Sequence, residues 1–221
     1  MAAASHTISG PAGAATMASI DSSPAPTTAG LVLAAGGGTR FGGPKALARD
    51  RGGTSWLLRA VGALAQSGCE PVLVVLGAAA DEAEVLLAGC AGVQIVRATD
   101  WATGLSASLR AGLGAAAKLV PAPTALVVVP VDVPDLTVNV VVRVLGGPAG
   151  AGQVGLSTLR QALFDGRPGH PVVIGRSHWA PLTAQLTGDT GARAYLVAHH
   201  VRAIECGDLG TGEDADRQLP E

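Results

Sequence analysis

Apolar residues along this chain fall into short unbroken runs, and between the runs they recur at helical spacing. Gly30 to Ala35, Val72 to Leu76, Val93 to Val96, Ala125 to Val129 and Val201 to Cys206 have the length and β-branched content of strands. The first and fourth are apolar at every position, as strands buried on both faces are. Ser55 can cap a helix in which Leu57, Val61, Leu64 and Ala65 share one face, ending at Gly68. Asp81 starts a second helix, with Glu84 three residues on in capping-box relation and Val85 to Leu87 behind it. Leu105, Leu109 and Leu113 recur every four residues and give a third helix. Val138 to Leu145 lie in a fourth, with Asp135 as its expected cap. Strands alternating with helices predict an α/β domain with a mostly parallel sheet, whose ligands sit at the carboxyl ends of the strands.

The pattern breaks most sharply after the first strand. Leu33-Ala34-Ala35 is followed by Gly36, Gly37, Gly38, Thr39, Arg40, Phe41, Gly42, Gly43, Pro44 and Lys45, with five glycines in the eight residues from 36 to 43. Glycines let backbone N–H groups approach a ligand closely, and successive N–H groups in such a turn make an anion-binding nest. With Arg40 and Lys45 beside it, the nest suits a polyphosphate. A dinucleotide fingerprint started at Gly36 and Gly38 needs glycine at 41 and meets Phe41. A Walker A loop started at Gly38 reaches Gly43, but Pro44 intervenes before Lys45, and Ala46 stands where a Mg²⁺-binding hydroxyl belongs. The alternative is an ordinary glycine-rich turn leaving a strand.

Composition narrows the partners. The 221 residues favour one domain, and a net charge of −2 offers no basic surface for nucleic acid or anionic lipid. Only 3% of residues are aromatic against 48% hydrophobic, so Ala, Val and Leu must build the core. Cys69, Cys90 and Cys206 lack metal or redox spacing and read as packing residues of a reduced, cytoplasmic protein. Residues 1–29 are Ala, Ser, Thr, Pro and Gly with almost no bulky apolar side chain, and are expected to form a disordered leader to a single domain spanning 30–221. That segment lacks the basic and apolar regions of a secretory signal, and no later stretch has the length and apolarity of a membrane helix.

Candidate chemistry outside the loop lies at the end of the fourth strand, where five apolar residues and Pro130-Val131 lead to Asp132, with Pro134 stopping the pairing. A carboxylate there faces the same crevice as Gly36 to Lys45. Mg²⁺ takes one or two carboxylates plus phosphate oxygens and water, so Asp132 is the candidate metal ligand; an end-of-strand turn residue is the alternative. Gly104 and Ser106 at the start of the third helix leave backbone donors and a hydroxyl free for an anion or a ribose.

Leu33-Ala34-Ala35-Gly36, Arg40, Gly42 and Lys45 together resemble the L-A-A-G-x-x-x-R-x-G-x-x-K signature of Rossmann-like nucleotidyltransferases. Three further segments are similar to one branch, the molybdenum cofactor cytidylyltransferases: Trp101 to Leu113 (W-x-x-G-x-S-x-S-L-x-x-G-L), Gly169-His170-Pro171 in a turn entering a strand, and Gly188-Asp189-Thr190-Gly191-Ala192-Arg193. The resemblance implies a three-layer α/β fold, mostly parallel with one antiparallel strand. It implies Mg²⁺-dependent transfer of a nucleoside monophosphate to the terminal phosphate of molybdopterin, releasing pyrophosphate, and Ala35 in the motif is the form associated with CTP. Leu33 to Gly38, Arg40, Lys45 and Ser106 would bind nucleotide; His170, Asp189 and Arg193 would meet a pterin-phosphate acceptor. His170 between Gly and Pro could equally tie backbone together. Asp216 matches the second metal ligand of the family's C-terminal D-x-D, although the Thr, Pro and Glu-Asp that follow it there are missing. Val131 and Val133 replace the Gly and Gln usually flanking Asp132, a change that removes a group contacting the acceptor. Two rivals follow: a nucleotidyltransferase for another small phosphate, such as a sugar phosphate or phospholactate, and a nucleotide-binding maturation factor that works on a molybdenum-dependent apoenzyme with little turnover. A dehydrogenase fits worst, because the glycine fingerprint fails.

Overall fold

The computed structural model describes residues 27–147 and 152–215. Seven strands form one sheet in the order β3-β2-β1-β4-β6-β5-β7. They are β1 (Thr28–Ala34), β2 (Val72–Leu76), β3 (Val93–Arg97), β4 (Ala125–Pro130), β5 (Leu159–Phe164), β6 (Arg167–Gly175) and β7 (Arg202–Glu205). β1 pairs in parallel with β2 and β4, β2 with β3, and β5 with β7. β6 runs antiparallel to both neighbours, β4 and β5, and is the one reversed strand of the sheet. The expected architecture is therefore the observed one.

β1 begins at Thr28, and Thr27 O accepts from Thr124 N (2.8 Å), so ordered structure starts before the expected boundary at Gly30. The remainder of the expected leader, residues 1–26, lies outside the described residues. So does Asp216.

Alternation along the strands divides the core in two. Val32, Val74, Val127 and Val129 pack on one face beneath α1 (Trp56–Gln66), α2 (Ala80–Leu87) and α4 (Val138–Leu145). Leu31, Leu73, Leu126 and Val128 pack on the other beneath α3 (Leu105–Ala116), α5 (Trp179–Gln185) and α6 (Arg193–Ala198). Fully buried leucines such as Leu31, Leu57, Leu64, Leu73 and Leu113 each contribute about 1.5–3 kcal/mol through burial. Few as the aromatics are, Phe41, Trp56, Phe164, Trp179 and Tyr195 are all buried. Cys69 and Cys206 are buried thiols and Cys90 is half-buried; burial pushes the Cys69 thiol up to about 11. None of the described helices is long and apolar enough to cross a membrane.

Three local expectations resolve differently. Ser55 does cap α1, its Oγ accepting from Leu58 N, and α1 gives way to Gly68 in the left-handed region. Asp81 and Glu84, by contrast, cap nothing: α2 starts at Ala80 without a side-chain cap, and both carboxylates accept from the Arg97 guanidinium on β3 at 2.6 Å. An ion pair to the neighbouring strand has outcompeted the reciprocal cap. Asp135 does not cap α4 either; Thr137 does, its Oγ1 accepting from Val140 N.

Candidate active site

The strand order reverses at β1, whose neighbours are β2 on one side and β4 on the other. Ligands of such sheets sit at this switch point, and the carboxyl ends of β1 and β4 deliver Gly36 and Asp132 to it. Leaving β1, the chain turns at Gly38, which has φ +61°; a β-carbon there would lie 1.8 Å from Gly43 O. Gly38 O accepts from the N–H groups of Phe41, Gly42 and Gly43 at 2.9–3.1 Å, so the loop closes on its own carbonyl. Phe41 then plugs into the core against Trp56, with ring centroids 5.2 Å apart. Among the described residues, the N–H groups of Gly36 to Arg40 find no backbone acceptor. They form the open half of the nest.

Lys45 Nζ donates to Asp132 Oδ2 at 2.6 Å and stands 5.9 Å from the centre of the Phe41 ring. The two side chains are only 17% and 20% exposed, so this pair is far less screened than a surface ion pair. Loop and strand end thus enclose a first chamber of about 410 Å³, lined by Leu33, Ala34, Gly36, Gly38, Arg40, Lys45 and Asp132 among the expected residues, and also by Thr39 and Phe41. Gly37 does not line it; a β-carbon there would lie 3.3 Å from the Trp101 ring. The Ala35 side chain is buried in the core below the loop.

A second chamber of about 300 Å³ adjoins the first, sharing Leu33 and Leu105 as walls. Its floor is apolar, with Leu109, Val128, Val172 and Ile174. Its polar groups are Gln161, His170, Arg193 and Asp214. His170 reaches it because β6 is reversed and so begins where its neighbours end. Burial pushes the His170 imidazole down to about 4, partly opposed by the Asp132 carboxylate, so it is neutral at pH 7. Gln161 Nε2 donates to Gly169 O at 3.2 Å.

The start of α3 departs from expectation. Its backbone donors are not free: Leu105 N donates to Asp189 Oδ1 (3.1 Å) and Ser106 N to Gly188 O (3.2 Å). Gly104 permits this docking, since its φ is +121° and a β-carbon would lie 2.5 Å from Gly188 O. Ser106 is buried and lines neither chamber. Asp189 lines the first chamber, beside the glycine loop, and not the second. Val133, in place of the family's Gln, is turned into the core. The structure brings together Arg40, Lys45 and Asp132 in one chamber and His170 and Arg193 in the next.

Gln161, Asp214 and the shared wall Leu105 are lining residues that the sequence did not single out. Asp214 is the first acidic residue of Asp214-Ala215-Asp216, a usable signal; Gln161, in mid-strand, offered none.

The family model described as the MobA-like NTP transferase domain matches residues 30–203, a span holding the glycine loop, Asp132 and both chambers' walls up to β7. The chain belongs to that family. This nucleotidyltransferase domain is 36% identical over 199 residues to the nicotine blue oxidoreductase of Paenarthrobacter nicotinovorans, covering 86% of this chain and 93% of that protein. Among solved structures it is similar to the Rv0371c homologue of Mycobacterium sp. strain JC1, at 28% identity and TM-score 0.69, over 86% of this chain and 90% of that one. It is also similar to Mycobacterium tuberculosis H37Rv Rv0371c in complex with manganese, at 25% identity and TM-score 0.61, over 83% and 88%.

Proposed function

We propose that this MobA-like nucleotidyltransferase transfers CMP from CTP to the terminal phosphate of molybdopterin, with Mg²⁺, and releases pyrophosphate. The observation that carries the proposal is the contact between the chambers. Leu33 and Leu105 wall both, which supports a triphosphate seated on the glycine loop lying beside a phosphate held in the second chamber. An acceptor phosphate oxygen attacks that phosphorus, a P–O bond forms, and the bond to the β-phosphate oxygen breaks. The acceptor is already an oxyanion, so no base is needed. His170, neutral at pH 7, suits hydrogen bonding to the acceptor better than charge pairing.

The loop N–H groups of Gly36 to Arg40, with Arg40 and Lys45, take the charge of the leaving phosphates. For Lys45 this means turning from Asp132 to phosphate, which leaves the Asp132 carboxylate facing the chamber. The donor set fits Mg²⁺: among the described residues no three His, Cys, Asp or Glu side chains cluster as an all-protein cage, whereas one carboxylate beside a triphosphate is a common arrangement for this ion. Asp132 would hold it, with Asp216 as second ligand. When bound, Mg²⁺ neutralises phosphate charge and aligns the oxygens for in-line displacement. The manganese in the Rv0371c structure supports a divalent ion in a related chain. CTP is preferred on the strength of Ala35, which acts through how the loop seats on the core. Pyrophosphate release with CTP, GTP and ATP against molybdopterin is the test. CTP is expected to lead; a GTP preference overturns the cytidylyl assignment, and no release with any nucleotide overturns transfer.

Kinship with nicotine blue oxidoreductase favours one second reading, a redox activity on nicotine blue. Against it, Phe41 sits buried where a dinucleotide fingerprint needs glycine. Bleaching of nicotine blue by reduced nicotinamide dinucleotide, dependent on the purified protein, would decide for it.

A further inference from the structure

Asp135 lines neither chamber and caps no helix, yet its carboxylate is bonded three times over to a segment 76 residues away. One oxygen, Oδ2, accepts from Thr211 N at 2.6 Å, Thr211 Oγ1 at 2.7 Å and Gly212 N at 3.2 Å. Three residues further on, Ala215 N donates to the backbone oxygen of Asp132 at 2.8 Å. The segment after β7 is thus fastened at two points to the turn that follows β4. Between those points it contributes Gly212 and Asp214 to the wall of the second chamber. Gly212 has φ +62°, and a β-carbon there would lie 2.2 Å from the Phe164 ring, so the segment lies flat on the end of β5. The turn is itself anchored by the helix it packs beneath: Arg59 of α1 donates to Pro134 O at 2.6 Å and pairs with Asp50.

We propose that Asp135 is a positioning residue that holds the 209–215 segment as a wall of the second chamber and so presents Asp214 to whatever binds there. That the occupant is the phosphate acceptor rests on the function proposed above; the fastening does not. A carboxylate oxygen that accepts three hydrogen bonds, each involving a charge, is worth enough that its loss should release the segment. Asn can place one carbonyl oxygen at the same point, whereas Ala cannot.

The experiment compares Asp135→Ala with Asp135→Asn in the full chain by amide hydrogen exchange, CTP binding and acceptor kinetics with molybdopterin. In Asp135→Ala, exchange at Thr211, Gly212 and Ala215 should quicken by about tenfold or more, and the acceptor KM should rise by about tenfold. CTP affinity should stay at the wild-type value. Asp135→Asn, which keeps the oxygen but not its charge, should fall between Asp135→Ala and wild type in exchange and acceptor KM and match wild type in CTP affinity. Unchanged exchange in Asp135→Ala overturns the proposal, as does a rise in exchange with no change in acceptor KM. A parallel loss of CTP affinity overturns it too, because the effect would then be general loosening. If the wild-type chain transfers nothing to molybdopterin, the transfer function fails by itself, and exchange at the three amides still decides whether Asp135 holds the wall.

Discussion

The two chambers share a wall but are built on opposite plans. The first is built mainly from the end of β1 and the glycine loop, joined by the end of β4 with Asp132 and by Leu105 and Asp189, and backbone N–H groups are its principal donors. It is shaped in advance, because three N–H groups of the loop converge on Gly38 O and Phe41 is buried against Trp56. The second draws its polar side chains from four separate stretches, at Gln161, His170, Arg193 and Asp214. It takes its shape from tertiary contacts, such as Asp189 on the first turn of α3 and Asp135 on the C-terminal segment. Main-chain recognition of phosphate is tolerant of sequence so long as the glycines remain. Side-chain recognition can change one residue at a time. On the function proposed above, a nucleotide site of the first kind beside an acceptor site of the second would let a transferase keep its donor and vary its acceptor.

Four changes would break or sharpen this contrast. Asp132→Asn keeps shape and removes the charge opposite the loop, so turnover should fall by roughly two to four orders of magnitude in a chain that still folds, its melting temperature lowered only by loss of the Lys45 ion pair; steady-state kinetics and a melting curve decide. Near-normal turnover at limiting Mg²⁺ would place the metal elsewhere. Gly38→Ala forces a β-carbon onto Gly43 O and should cost about 1–3 kcal/mol of loop strain, roughly ten- to a hundredfold in CTP affinity. Titration calorimetry should find acceptor binding intact, and loss of both would show that the chambers are not separable. Lys45→Ala should weaken CTP binding by about tenfold and slow turnover as well, since its charge meets phosphate in the ground and transition states alike. An effect on turnover alone would confine Lys45 to the transition state.

The smallest effect concerns the second chamber. Folding holds His170 near 4, below the usual value of about 6.5 for an unfolded histidine. The stabilisation from keeping it neutral is complete above 6.5 and is lost as pH falls through 4, because the unfolded chain binds the proton first. His170→Asn should therefore flatten the fall of melting temperature between pH 6.5 and 4. An unchanged slope would assign that fall to other groups.

Legibility in the sequence followed the same division. Gly36 to Lys45 and Asp132 could be read because their chemistry is compressed into one loop and one strand end. The layers could be read because apolar runs and helical repeats alternate. Asp81, Glu84 and Asp135 each stand where a helix cap belongs, but a cation or a pair of amides from another segment bonds each of them better. No local pattern carries that information. Asp189 was placed with the acceptor, yet its carboxylate caps α3 and its side chain faces the first chamber. Ser106 matches a motif and is buried, since the motif specifies a helix start and not which of its groups stay open. Gln161 reaches the second chamber only because β5 lies beside the reversed β6.

That reversal has a further consequence. In a wholly parallel sheet, every tight turn between adjacent strands is excluded, and the crevice rim is made only of long crossovers. Here β5 and β6 form a hairpin whose two-residue turn, Asp165-Gly166, has both residues in the left-handed region and stands at the same end of the sheet as the glycine loop. A hairpin tip is the place where a chain most easily accepts added residues, because lengthening it disturbs neither strand's register. The two strands that bring Gln161 and His170 to the second chamber are therefore joined at a position that can grow or shrink over evolutionary time, or under a designer's hand, while the fold and the glycine loop stay as they are.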